Sequence, residues 1–258
     1  MTANDPLPQT IDGVIDWLNE ILDDALRAGG RIGYFVALYE RVTTNVRRAI
    51  VAGNVFEDNA RLERLDVVFA NRFLAAWGAY RPGGAGARAE SWRVAFERLD
   101  DPGPLVVQHL LLGMNAHINV DLGIAAAAIA QTPEGLKALW PDFKRINDVL
   151  ARLVVVVEDE LGQIAPRLKR IEDFAPSLED KLFDFGMDVA RDLAWALAER
   201  LVATPPGERD AVIAARDAEV ARVGRGLYPL TGLVGDVARW VRETESGDVR
   251  YNIQIVAE

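Results

Sequence analysis

The chain has 258 residues, half of them hydrophobic and 26% charged, with 29 basic against 39 acidic side chains and a net charge of −10 at pH 7. That size and composition can bury a full core, which excludes a disordered or fibrous protein, and the absence of cysteine excludes a disulfide framework, a thiolate nucleophile and thiolate-bound zinc or iron–sulfur clusters. The acidic balance repels a phosphate backbone, so nucleic acid is not an expected partner. No apolar run reaches the roughly 18 residues of a membrane span. The opening MTANDPLPQT lacks the basic and apolar regions of a signal peptide, and a cytoplasmic location is expected.

Apolar residues at three- and four-residue steps predict amphipathic helices over Ile11 to Arg27, Arg31 to Ala52 and Asp58 to Tyr80, the first closed by Gly29-Gly30. A loop from Arg81 to Gly86 leads to a short helix, Glu90 to Leu99, stopped by Asp101-Pro102-Gly103-Pro104. The most apolar helix is predicted over Pro104 to Gln131. Thr132-Pro133 restarts the chain as a cap followed by proline. Pro141 reads as a break, and Asp142 to Ile164 as a long helix with Glu158-Asp159-Glu160 at its solvated end. Ser177 and Asp180 are spaced as a capping box for a helix to about Val202. Two more helices are predicted over Glu208 to Val223 and Leu230 to Thr244. Beyond Asp248 the alternation of Val249, Tyr251, Ile253 and Ile255 signals a strand. The expectation is one all-α domain over residues 1–258, a bundle of about nine or ten helices with a short C-terminal strand.

Familiar catalytic signatures are missing. The three serines, Ser91, Ser177 and Ser246, lie outside any G-x-S-x-G elbow, and the sequence has no glycine-rich phosphate loop, His-Glu-x-x-His or Glu-x-x-His. Instead, both histidines of the chain, His109 and His117, share one apolar segment with Gln108, Asn115, Asn119 and Asp121. On an α-helix His109, Gly113, His117 and Asp121 form one rail, and Gln108, Asn115 and Asn119 another. The apolar remainder implies burial, and buried polar groups need partners or a purpose. His117 and Asp121, one turn apart, can converge on one metal ion or one substrate proton. His109, about 12 Å along the axis from His117, is a second catalytic candidate lining the same cavity. Gly113 lets a ligand or a helix approach closely, and Gln108, Asn115 and Asn119 are candidates to position substrate or neighbouring helices. Supporting carboxylates are sought in Asp66, Asp184, Asp188 and Asp192, and second-helix contributions in Tyr34, Arg41 and Asn45. The competing reading is a satisfied core network that crosslinks helices.

Gly113 to Leu122, GMNAHINVDL, resembles the signature of a bacterial family of unknown function, which implies kinship and supplies no activity. Gly113, His117 and Asp121 are also similar to the Gly-x-x-x-His-x-x-x-Asp helix of the zinc-dependent phospholipase C and S1/P1 nuclease group. That similarity implies zinc-ligand roles for His117 and Asp121; the alanine run Ala125 to Ala128 stands where the group carries its later ligand. The expected function is a small-molecule enzyme with a buried His–Asp site. Its most concrete version is an ester or phosphoester hydrolase holding one divalent metal ion on His117 and Asp121, completed by carboxylates from other helices. The alternatives are metal-free acid–base isomerisation or cyclisation of an apolar substrate, and a non-catalytic ligand-binding or interaction module.

Overall fold

A computed structural model describes residues 6–86, 89–170 and 187–258. Over these residues the chain is all-helical, without strands, and comprises eleven α-helices. They are α1 (Ile11–Ala28), α2 (Ile32–Ala52), α3 (Asn59–Tyr80), α4 (Glu90–Phe96), α5 (Val106–Ala116), α6 (Gly123–Ala130), α7 (Pro133–Ile164), α8 (Met187–Ala203), α9 (Arg209–Leu227), α10 (Gly232–Arg242) and α11 (Val249–Ala257). Between α5 and α6 the chain does not break but widens into a π-helical segment, His117–Leu122.

Local chemistry fixes the helix starts. The side chains of Thr10, Asp58 and Thr132 each accept a hydrogen bond from the backbone N–H three residues on. Two buried carboxylates do the same work from a distance. Asp142 on α7 accepts from Glu57 N (2.6 Å), Asp58 N (3.1 Å) and Arg61 Nη2 (2.9 Å), pinning the start of α3. Asp217 on α9 accepts from Glu90 N (2.6 Å), Ser91 N (3.1 Å) and Ser91 Oγ (2.5 Å), pinning the start of α4.

Two apolar clusters make the core. The larger gathers Leu18, Phe35, Phe73, Trp92, Phe96 and Ile253; the smaller gathers Leu62, Leu139, Phe143, Trp195 and Ala198. The segment α5–π–α6 threads both, with Leu110 in the first and Leu122 and Ala126 in the second. By length and composition Val106–Ala130 could cross a membrane, at a mean hydropathy of 1.3, but 89% of its most apolar window is buried against the rest of the protein.

Several expectations change. The tail predicted as a strand is α11: Asp248 accepts from Arg250 N and Tyr251 N as an N-cap, and Asn252, Ile253, Ile255 and Val256 form the buried face. Those positions keep a helical step; the alternation is coincidental, and a lone strand would have nothing to pair with. Pro141 does not break α7, which runs through it. Proline removes the donor for the carbonyl four residues earlier; that residue, Lys137, is exposed, where water can replace the lost bond. Glu160 is not a solvated end but is buried, 2.7 Å from Arg41. The capping box read at Ser177 and Asp180 lies outside the described residues.

Candidate functional site

His117 opens the π-helical segment. Such segments insert an extra residue into an α-helix at the expense of regular bonding, and they recur at functional sites. His117 Nδ1 lies 3.1 Å from Asp121 Oδ2, and both side chains are buried. A carboxylate only accepts hydrogen bonds, so the proton of a neutral His117 sits on Nδ1 and the lone pair on Nε2.

Asp121 is fully engaged. Its Oδ1 accepts from Arg72 Nε on α3 at 2.7 Å, and its Oδ2 also accepts from Trp92 Nε1 on α4 at 2.8 Å. The carboxylate therefore orients the imidazole and ties three elements together, leaving it poorly placed to hold a metal ion as well. Among the described residues no three His, Asp or Glu side chains converge as metal ligands.

An aromatic box surrounds the His117 ring. Phe69 stacks on it at a centroid distance of 3.7 Å, and Tyr39 meets it edge-on at 4.7 Å. This burial holds the imidazole below its ordinary pKa; the Asp121 hydrogen bond and charge oppose the shift, while Arg72 reinforces it.

A cavity of about 230 Å³ opens beside the ring. Its wall is mostly aliphatic and aromatic, and among the described residues its polar side chains are Tyr39, Asp66, His117, Glu158 and Arg191. Three residues of its wall carry a buried polar atom that makes no hydrogen bond among the described residues: His117 Nε2, Asp66 Oδ2 and the Tyr39 hydroxyl. Desolvation, reinforced by the charge of Glu63, raises the Asp66 carboxyl to about 7. Desolvation also pushes the Tyr39 phenol well above its usual value, with Asp66 and Asp121 adding to the shift.

The remaining candidates separate by place. His109 does not line this cavity. It is buried beside Tyr34 (ring centroids 5.7 Å apart) with neither ring nitrogen hydrogen-bonded among the described residues. Its pKa falls to about 4, chiefly by desolvation, with Arg31 next. The amides hold helices. Gln108 binds Leu105 N and Leu227 O, and Asn115 donates to Val220 O. Asn119 receives Arg216 on both its side-chain and backbone oxygens at 3.1 Å, so this rail fastens α5 and the π segment to α9. Gly113 answers a close approach: a Cβ there would come within 2.4 Å of the Phe35 ring.

Of the supporting residues, Asp66 reaches the cavity. Asp192 is exposed and 3.5 Å from Lys144; Asp184 lies outside the described residues, as does the side chain of Asp188. Arg41 pairs with Glu160 and donates to Val256 O, Asn45 donates to Arg41 O, and Tyr34 packs on His109. The second helix instead contributes Tyr39, which sequence reasoning misses because an aromatic residue four places after Phe35 reads as core; the available signal is a pair of hydroxyls, Tyr39 and Thr43, one turn apart on an otherwise apolar face.

The family of unknown function DUF5995 matches residues 11–229. The chain belongs to this family. The match spans α1 to the end of α9 and so includes every residue of the cavity wall, while α10 and α11 fall outside it. No curated protein and no solved structure matches the chain.

Proposed function

We propose that the protein is a metal-free acid–base enzyme for a small, largely apolar molecule, with His117 as proton acceptor and Asp66 as proton donor. The observation that carries this reading is that three residues of one apolar cavity wall, Tyr39, Asp66 and His117, each carry a buried polar atom without a hydrogen bond among the described residues. A purely structural network pairs its buried groups, because an unpaired one costs about 1–3 kcal/mol. Asp121 obeys that rule; His117 Nε2 does not, and unlike the equally unpaired ring nitrogens of His109 it belongs to a residue of the cavity wall.

Two titratable groups pushed in opposite directions are a common arrangement for proton transfer at neutral pH. Burial keeps His117 neutral and able to accept, while Asp66 retains its proton up to about 7. The size also fits: 230 Å³ exceeds the roughly 150 Å³ that holds benzene and falls below the roughly 300–1,000 Å³ of drug-sized sites, so the ligand has about one ring or a short chain.

The test uses two chromogenic probes. Ring opening of 5-nitrobenzisoxazole needs only proton abstraction by a base in an apolar pocket. The expected result is saturable turnover that His117→Gln loses with its circular dichroism unchanged, since glutamine can still donate to Asp121. Hydrolysis of 4-nitrophenyl butyrate that requires added zinc or manganese and vanishes in His117→Gln would instead favour a metal-dependent esterase and retire this proposal.

A further inference from the structure

We propose that the molecule handled at this site is a carbonyl compound, its oxygen held between the Tyr39 hydroxyl and the Asp66 carboxyl and its adjacent C–H presented to His117 Nε2. This inference rests on the acid–base reading and narrows its substrate class.

The inventory of unpartnered groups sets the ligand. The wall offers one acceptor, His117 Nε2, and two O–H donors, Tyr39 and protonated Asp66. Among the described residues these atoms stay unmatched: Thr43 Oγ1 donates to the backbone oxygen of Tyr39 at 2.9 Å and comes near enough to the phenol only to temper the rise of its pKa, and Asp121 is filled by Arg72, Trp92 and His117. A ligand that satisfies all three must bring one oxygen with two lone pairs and, close to it, a removable proton. A ketone with a hydrogen on the adjacent carbon does this with few atoms and no charge. A carboxylate or phosphate ester would place a negative group beside Glu158 in an apolar cavity, while the Arg191 guanidinium of the same wall already donates to Phe143 O and lies over the Phe143 ring.

The same groups fit proton transfer at carbon. His117 Nε2 takes the proton from the carbon beside the carbonyl, the C–H electron pair becomes a C=C bond, and the carbonyl π pair moves to oxygen. The developing oxyanion is where two O–H donors strengthen most. In a β,γ-unsaturated ketone the imidazolium returns the same proton to the γ carbon, shifting the double bond into conjugation and regenerating neutral His117 without another reactant. Burial keeps both donors protonated at neutral pH or just below it, Tyr39 well beyond and Asp66 to about 7.

The experiment compares acetophenone with ethylbenzene, a probe of similar shape without the oxygen, using the full chain. Calorimetry gives both affinities, and carbonyl-¹³C acetophenone gives the NMR shift that reports donation to its oxygen. The wild type is expected to bind acetophenone about tenfold more tightly than ethylbenzene, with a downfield carbonyl shift. Tyr39→Phe and Asp66→Leu should each erase most of that preference and of the shift while leaving ethylbenzene binding unchanged; Asp66→Asn, which retains a donor, should preserve both. Equal binding of the two probes in the wild type, or a preference untouched by Tyr39→Phe and Asp66→Leu, overturns the carbonyl assignment while leaving proton abstraction to be judged by the benzisoxazole probe. Failure of both probes to bind overturns the assignment together with the cavity as a site.

Discussion

Asp121 and His117 touch each other, yet they should respond differently to substitution. Replacing one Asp121 oxygen by an amide N–H₂ leaves either Arg72 or the Trp92 and His117 N–H groups without an acceptor, and the shared tie among three elements is broken on one side. Asp121→Asn is expected to cost about 2–4 kcal/mol, visible as a lower denaturant midpoint, whereas His117→Gln should cost under about 1 kcal/mol. A larger loss for His117→Gln than for Asp121→Asn would reverse the assignment of scaffold and reactive group. Titration separates the other two buried groups by sign. His109 refuses a proton down to about 4 while the unfolded chain binds it from 6.5, so its contribution is present above 6.5 and is lost as pH falls toward 4. Asp66 keeps a proton to about 7 that the unfolded chain releases near 3.8, so its contribution is present below 3.8 and is lost as pH rises through 7. Thermal melts should therefore show His109→Phe flattening the acid limb and Asp66→Asn gaining stability at pH 8 more than at pH 4. The His–Asp contact is legible in the sequence because spacing of four residues brings side chains together whatever surrounds them. Tyr39 is not, since the difference between a core aromatic and a donor lies in whether its hydroxyl finds a partner, and that depends on residues far away in sequence.

At the level of elements, the π-helical segment decides how the central rod meets its neighbours. An extra residue in one turn rotates the downstream helix by about 100° relative to an uninterrupted α-helix, whereas sequence periodicity alone predicts one straight helix from Pro104 to Gln131. The rotation presents Gly123 to α8, where a Cβ would lie 2.5 Å from the Ala194 carbonyl oxygen. Gly113, on the other side of the segment, faces the Phe35 ring of α2 instead. Both contacts forbid a methyl group, but a ring can shift and a helix backbone cannot. Gly113→Ala should lower stability by about 1–3 kcal/mol and Gly123→Ala by more, measured by chemical denaturation. Equal tolerance at both would mean that α6 and α8 are not seated so closely. Helix existence is readable nearly throughout because amphipathic periodicity is local, and Asp142, buried as the distant cap of α3, shows why boundaries and breaks are not. The carboxylate that anchors the proline-containing stretch of α7 finds its donors on another element.

For the whole molecule, the consequential feature is that the cavity lies where the two apolar clusters meet. Phe35, Tyr39 and Leu110 of its wall belong to the larger cluster, and Leu62, Leu65 and Leu122 to the smaller. A seam between two packed regions is where a void can persist without collapsing either, since each side already holds its own side chains in place. Such a void still forfeits contacts, so filling it should stabilise the fold at the expense of binding, as expected where a site is retained against stability. Leu150 offers the opening: it lines the cavity from α7 and is buried, away from Tyr39, Asp66 and His117 in sequence. Leu150→Phe should gain about 1 kcal/mol, a rise in melting temperature of about 2–4 °C for a chain of this length, while acetophenone and ethylbenzene both lose affinity by about tenfold or more. Parallel loss of the polar and the apolar probe distinguishes occupied volume from a disturbed donor pair, which would weaken acetophenone alone. A variant that melts lower and still binds both probes would show that the space beside His117 is not a preformed chamber, and the site would then have to be sought in a rearranged state of α7.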